Sequence, residues 1–153
     1  MGLLPPLFLR MPIHQIDHGT SEYSQMVQLR DEILRKPLGL SFSARELENE
    51  VGDILIGAFD DGRIIGCCIL TEESKERIRL RQMAVKNNLQ GKGVGQQIMR
   101  FAEILARDKG YRWLSMHARD SAIGFYEKQG YKVVGEGFQE VTIPHHNMEK
   151  LLV

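Results

Sequence analysis

Gln90, Gly91, Lys92, Gly93, Val94, Gly95 and Gln96 sit where an extended apolar stretch runs into the start of an amphipathic helical pattern, RLRQMAVKNNLQGKGVGQQ over residues 79–97. Strand, glycine-rich turn and helix start, in that order, can hold a diphosphate. Glycines reach positive φ and let a ligand approach the backbone. The first-turn N–H groups of the following helix lack partners inside it, and they align with a dipole that suits an anion. Two other phosphate loops are excluded. A Walker A loop requires Gly-Lys followed by Ser or Thr, whereas Lys92 is followed by Gly93. The dinucleotide pattern G-x-G-x-x-G also fails, because Ile98 stands where the third glycine would fall. Alone, the glycine run reads equally well as a plain turn between strand and helix.

The elements that position this turn follow from periodicity. Residues 13–17 form a short strand. A first helix starts after a Thr20 or Ser21 cap, with Tyr23, Met26, Val27, Leu29, Ile33 and Leu34 at helical spacing and Pro37 closing it. Residues 42–49 make a second, short helix. Residues 53–59 and 63–70 are strands joined at Asp60-Asp61-Gly62, a strong hairpin signal. The fourth strand covers residues 77–85. Its apolar residues stand at Ile78 and Leu80 and then at Met83 and Val85, a slip in alternation that a β-bulge near Gln82 or Met83 would produce, as would burial on both faces. After the glycines, Val94, Ile98, Phe101, Ala102 and Leu105 share one helical face, stopped at Gly110. A strand at residues 113–118, a helix from Ser121 to about Gln129, a strand beginning at residues 131–134 and a last strand at residues 142–151 complete the chain.

Length and composition bound the reading. The chain has 153 residues, 42% of them hydrophobic, and twenty basic residues balance twenty acidic ones. That suits one globular domain over residues 11–153, behind a poorly ordered extension at 1–10. The charge balance argues against nucleic acid or an anionic membrane as partner. The start is apolar but short and broken by Pro5 and Pro6, so it is neither a membrane span nor a signal peptide. Cys67 and Cys68 are neighbours in an apolar run, with no spaced Cys or His set beside them. They read as buried, reduced thiols of a cytoplasmic protein, not as a bridge or a metal site.

Two motifs together carry a resemblance. Gln90-x-x-Gly93-x-Gly95 is similar to the acyl-CoA signature of the GCN5-related N-acetyltransferases, the GNAT superfamily. Downstream, Ala122-x-x-Phe125-Tyr126-x-Lys128-x-Gly130-Tyr131 resembles that family's A-x-x-F-Y-x-K-x-G-F block. The resemblance spans residues 11–153. It implies an α/β (α+β) fold with a mixed, mostly antiparallel central sheet, splayed between the fourth and fifth strands and flanked by helices. It implies acetyl-CoA as cosubstrate, no metal, and transfer to a primary amine of a small molecule or peptide by direct attack in a ternary complex; a homodimer is left open.

The resemblance also implies roles. Met83, Ala84 and Val85 hold the pantetheine through backbone groups, and a backbone N–H there polarises the thioester carbonyl. Amides of residues 90–96 hold the pyrophosphate, with Lys92 either adding charge or standing as a solvated loop lysine. Tyr126 protonates the departing thiolate, against the alternative of an aromatic core residue paired with Phe125. The fourth strand offers no carboxylate as base, since it reads Arg79, Leu80, Arg81, Gln82. An imidazole titrates near neutral pH, so His117, Glu140, His145 and His146 are the candidates, with His145 preferred for its place in Ile143-Pro144-His145. Residues 36–40 and Phe42 line the acceptor pocket or form an ordinary loop. Arg119 departs from the asparagine common in the family three residues before the motif alanine. The rival readings are a non-catalytic CoA-binding or regulatory module of the same fold, and a small interaction protein with a structural turn.

Overall fold

The computed structural model describes residues 11–152, so the extension assigned to residues 1–10 lies outside the described residues. The strands form a seven-stranded sheet of order β1-β2-β3-β4-β5-β7-β6, in which β1–β2, β2–β3, β5–β7 and β7–β6 pair antiparallel and β4–β5 pair parallel. The mixed, mostly antiparallel sheet with helices that the two motifs implied is the fold. By its contacts the chain forms two compact units: residues up to Leu70 with Gln82–Ala102, and Thr71–Arg81 with the remainder from Glu103.

In the first unit, β1 (Ile13–Ile16) pairs with β2 (Ile54–Asp60), and β2 pairs with β3 (Arg63–Glu72). The β2–β3 turn is the expected two-residue hairpin. Asp60 faces Arg63, while Asp61 and Gly62 have φ of 51° and 76°, as a type I′ turn requires. Helix α1 (Ser21–Arg30) starts at Thr20, whose side chain accepts from the Tyr23 amide. It stops its α-geometry at Arg30, short of Pro37. A π-helical turn at Asp31–Arg35 and a 3-10 turn at Lys36–Leu38 carry the chain on, the latter containing the proline that has no N–H to continue a helix. Helix α2 (Ala44–Glu48) is shorter than residues 42–49 because Ser43 and Glu46 close a reciprocal capping box. Strand β3 is buried on both faces from Ile64 to Leu70, which encloses Cys67 and Cys68 as free thiols.

Strand β4 (Arg77–Val85) is irregular at the expected place. Gln82 has a φ of 56°, a conformation that a non-glycine residue adopts only when its surroundings hold it. Yet burial keeps period two through it: Ile78, Leu80 and Ala84 are buried, and Met83 and Val85 are half-buried. The apolar slip at Met83 and Val85 is therefore not a change of buried face. The parallel register with β5 (Trp113–Arg119) runs from Arg77 opposite Trp113 to Leu80 opposite Met116, four of the nine β4 residues.

In the second unit, β5 pairs along its whole length with β7 (Ile143–Leu151). Strand β6 (Lys132–Glu140) pairs with β7 on the other side, with its register broken between Val134 and Phe138. The β6 strand runs past residue 134 and returns through Val141 and Thr142, whose φ values are 46° and 65°. Helix α4 (Ile123–Lys128) lies between β5 and β6, entered by a 3-10 turn at Asp120–Ala122. Alternation sorts these strands into two faces. Ile78, Leu80, Leu114, Met116, Ala118 and Met148 are buried, while Arg77, Arg79, Ser115, His117 and Glu149 are partly exposed.

Candidate active site

The turn after β4 is built from its own side chains. Following a 3-10 turn at Asn87–Leu89, the Gln90 amide donates to the Val85 carbonyl at 3.1 Å and to Asn87 Oδ1 at 3.4 Å, tying the loop to the end of its strand. Gly91 and Gly93 follow with φ of 79° and 89°. A Cβ on either would meet no atom within 4 Å, so these glycines serve conformation and an open backbone, not packing. Helix α3 (Val94–Asp108) then begins, the Gln97 amide donating to the Gly93 carbonyl at 3.1 Å. Gly95 lies in its first turn. Amides preceding Gln97 lack acceptors within the helix, and fifteen residues of aligned peptides favour an anion beside them. Gln90, Gly91, Lys92 and Gln96 are exposed and Val94 is buried. An open, positive-φ backbone leading into free helical N–H groups fits a diphosphate.

Gln82, just before Met83, belongs to a buried network that the sequence pattern did not mark. Arg30, with no exposed surface, donates from Nη1 and Nη2 to the two Glu50 oxygens at 2.8 and 2.6 Å and from Nε to Gln82 Oε1 at 3.4 Å. Tyr23 donates its hydroxyl to Glu50 at 2.7 Å, and the Cys67 thiol reaches the Gln82 carbonyl at 3.7 Å. Burial opposes the Arg30 charge, but the Glu50 carboxylate outweighs it and holds the guanidinium protonated. Arg30 and Arg35 also lie 4.5 and 4.0 Å from the centre of the Phe42 ring. A charged residue ending the apolar face of α1 was the available signal; Glu50 had none.

The second unit gathers three of the proposed base candidates. His117 Nδ1 lies 2.9 Å from Glu140 Oε1, and His145 Nε2 lies 3.7 Å from Glu140 Oε2. Phe138 packs its ring against both imidazoles. Burial alone would raise the Glu140 carboxyl, but the His117 hydrogen bond, with His145 and Arg79 beside it, holds it below the ordinary value. Arg79 approaches His117 Nδ1 at 2.9 Å; burial and the neighbouring Arg81 lower its affinity for its proton, and its Nε is buried without a hydrogen-bond partner. His146 lies apart from this cluster, paired with Asp120 at 2.7 Å. His117 lines a pocket of about 360 Å3 with Glu73, Arg77, Ser115, Val134, Asn147, Met148 and Glu149. Within it Ser115 donates to Glu73 at 2.6 Å and Arg77 to Glu149 at 2.8 Å.

Tyr126 is 7% exposed on α4, edge-on to Phe125 at 5.1 Å and to Tyr131 at 6.1 Å between ring centres. Among the described residues no group of three or more His, Cys, Asp or Glu is placed to hold a metal, and no helix is long and apolar enough to cross a membrane.

A family model described as an acetyltransferase (GNAT) domain matches residues 31–152. The chain belongs to the GNAT acetyltransferases. An uncharacterized Bacillus subtilis N-acetyltransferase, YjcF, is 32% identical over 111 residues, covering 69% of this chain and 74% of its own. Among solved structures, an acyl-CoA N-acyltransferase from Pseudomonas aeruginosa superposes with a TM-score of 0.79 at 20% identity, covering 92% of this chain and 99% of that one. A GNAT family acetyltransferase from Elizabethkingia anophelis with acetyl-CoA bound gives 0.68 at 22% identity, covering 92% and 95%. These two establish likeness of fold. The match from residue 31 onward spans both the glycine turn and the block around Tyr126, so this GNAT enzyme carries both motifs within the family's own domain.

Proposed function

We propose that this GNAT acetyltransferase moves an acetyl group from acetyl-CoA to a primary amine of a small molecule or peptide, by direct attack in a ternary complex. The observation that carries the reading is the open, positive-φ turn at Gly91 and Gly93 feeding a fifteen-residue helix. The acetyl-CoA bound in the Elizabethkingia relative supports the same ligand here. Backbone amides of Gly91, Lys92, Gly93, Val94, Gly95 and Gln96 hold the pyrophosphate, with Gln90 bracing the loop. Met83, Ala84 and Val85 offer backbone groups to the pantetheine. The cosubstrate supplies an activated acyl carbon as a thioester.

The chain's own residues move the protons. Tyr126 delivers one to sulfur from its phenol, and the cluster containing His145 receives one from the acceptor. Buried, free Cys67 and Cys68 support a reducing compartment, the cytoplasm.

Calorimetry with acetyl-CoA, followed by thiol release across a panel of amines with mass spectrometry of the products, tests the reading. Binding and release of one thiol per acetylated amine are expected. Absence of binding would sink it; binding without turnover on any amine would favour a non-catalytic CoA module.

A further inference from the structure

His117, Glu140 and His145 come together from three strands, but only one of the two imidazoles is free to act. His145 donates from Nδ1 to the Ile143 carbonyl at 2.7 Å, which leaves its Nε2 bare, but its side chain is only 4% exposed, so burial and not the tautomer keeps it from an acceptor. His117 is 29% exposed and lines the pocket described above. We propose that His117 is the catalytic base that takes the proton from the acceptor amine in this pocket, and that Glu140 is the positioning residue that keeps its ring in the base-ready tautomer. The proposal deepens the acyltransferase reading and rests on it.

One atom decides the tautomer of His117. His117 Nδ1 has two suitors, Glu140 Oε1 and Arg79 Nη2, each at 2.9 Å. A carboxylate only accepts and a guanidinium only donates, so Nδ1 serves one at a time. When it donates to Glu140, Nε2 keeps its lone pair and can take a proton. When it accepts from Arg79, the neutral ring carries its proton on Nε2 and is useless as a base. Glu140 is held anionic against its burial by His117 itself, with His145 and Arg79 adding to the effect, so the first arrangement is favoured. His145 Nε2 lies 3.7 Å from the second Glu140 oxygen, beyond hydrogen-bond reach, so His117 Nδ1 and Glu140 Oε1 form the close pair of the cluster. The charged groups facing the ring are Arg79 from β4 and Glu140 from β6, with Glu73, Arg77 and Glu149 around the pocket.

The proton balance closes. His117 Nε2 takes one proton from the acceptor's ammonium form, and the nitrogen lone pair so exposed forms the C–N bond as the C–S pair leaves with sulfur. Sulfur gains a proton from Tyr126, the amide nitrogen sheds its second proton and so restores the phenol, and the proton on His117 passes to water.

Nitrogen-15 NMR of the His117 ring in the full-length protein reads the tautomer directly, without turnover. The neutral ring should show a protonated Nδ1 and a bare Nε2, and Glu140→Gln should shift it toward the reverse; a wild-type ring protonated on Nε2 would overturn the proposal. In kinetics with an amine that releases thiol, His117→Asn should lower kcat by roughly 10²- to 10⁴-fold and abolish the fall in rate on the acid side, with acetyl-CoA affinity unchanged by calorimetry. Glu140→Gln should lower kcat through the wrong tautomer by up to roughly 10⁴-fold. His117→Asn turning over at the wild-type rate would overturn the assignment and leave the acyltransferase reading standing. Wild-type protein that binds no acetyl-CoA would instead refute that reading. Should His117→Asn fail to fold, the wild-type tautomer and Glu140→Gln decide.

Discussion

Arg30 keeps a full charge in the interior of the first unit because Glu50 receives it through two short hydrogen bonds and Tyr23 satisfies Glu50 further. Such a pair is costly to break and cheap to replace. Glu50→Ala or Arg30→Ala should each destabilise by about 3–5 kcal/mol in urea unfolding, whereas Arg30→Met with Glu50→Leu should cost much less. Arg30→Ala also frees Gln82, whereas Glu50→Ala leaves the Arg30 Nε contact to Gln82 in place, so a greater loss of acetyl-CoA affinity in Arg30→Ala than in Glu50→Ala would separate strand geometry from stability. Tyr126→Phe should fold normally beside Phe125, lower kcat by roughly 10²- to 10⁴-fold and leave acetyl-CoA affinity alone. A raised KM for the amine at unchanged kcat would mean acceptor binding instead. Burial pushes the Cys67 thiol up from 9.0 to about 12 and Cys68 well above its ordinary value. A raised folded value means that the unfolded chain loses its protons first. Stability from these thiols is complete below pH 9 and drains away as pH rises toward 12. Cys67→Ala with Cys68→Ala should therefore flatten the alkaline limb of a stability profile.

Among the elements, the β6–β7 turn stands out because Val141 and Thr142 both take left-handed backbone with branched side chains. It sits one residue after Glu140. Val141→Asn with Thr142→Gly should relieve strain and raise stability by about 1–3 kcal/mol, read by thermal unfolding. That turn was illegible in the sequence, because Val-Thr has none of the residues a tight turn prefers, and the pattern marks only the beginning of β6, at residues 131–134, and not its end. The Asp61-Gly62 turn was legible for the converse reason. Helix α3 was legible from its apolar stripe, and its close seat is visible at Gly66. A Cβ there would stand 2.7 Å from Ile98 Cδ1 and 2.9 Å from Val94 Cγ1, so Gly66→Val should cost about 1–3 kcal/mol by overpacking. The glycine turn could be read because conformation dictates residue type there. The His117–Glu140–His145 cluster could be read only as a set of candidates, since strand register decides which of them meet, and the broken β6 register leaves no mark in the composition.

For the whole molecule, a ligand that binds only the folded state stabilises it by mass action. Acetyl-CoA at about a hundred times its Kd should add about 2.7 kcal/mol and raise Tm by roughly 5 °C or more. Gly93→Val, forced from its left-handed φ, should lose that increment while keeping a cooperative transition. The division of the chain into its two units also bears on how it is made. The path leaves the first unit after Leu70, returns at Gln82 and departs again after Ala102. On the ribosome, the first unit cannot be finished until Ala102 has emerged, by which time the opening residues of β4 have long been synthesised. Ile78 and Leu80, both buried in the mature protein, must wait for Trp113–Met116 before their strand has its parallel partner. Through that interval β4 can pair only on its β3 side and its β5-facing edge stays open, and it is there that a chaperone would find the nascent chain.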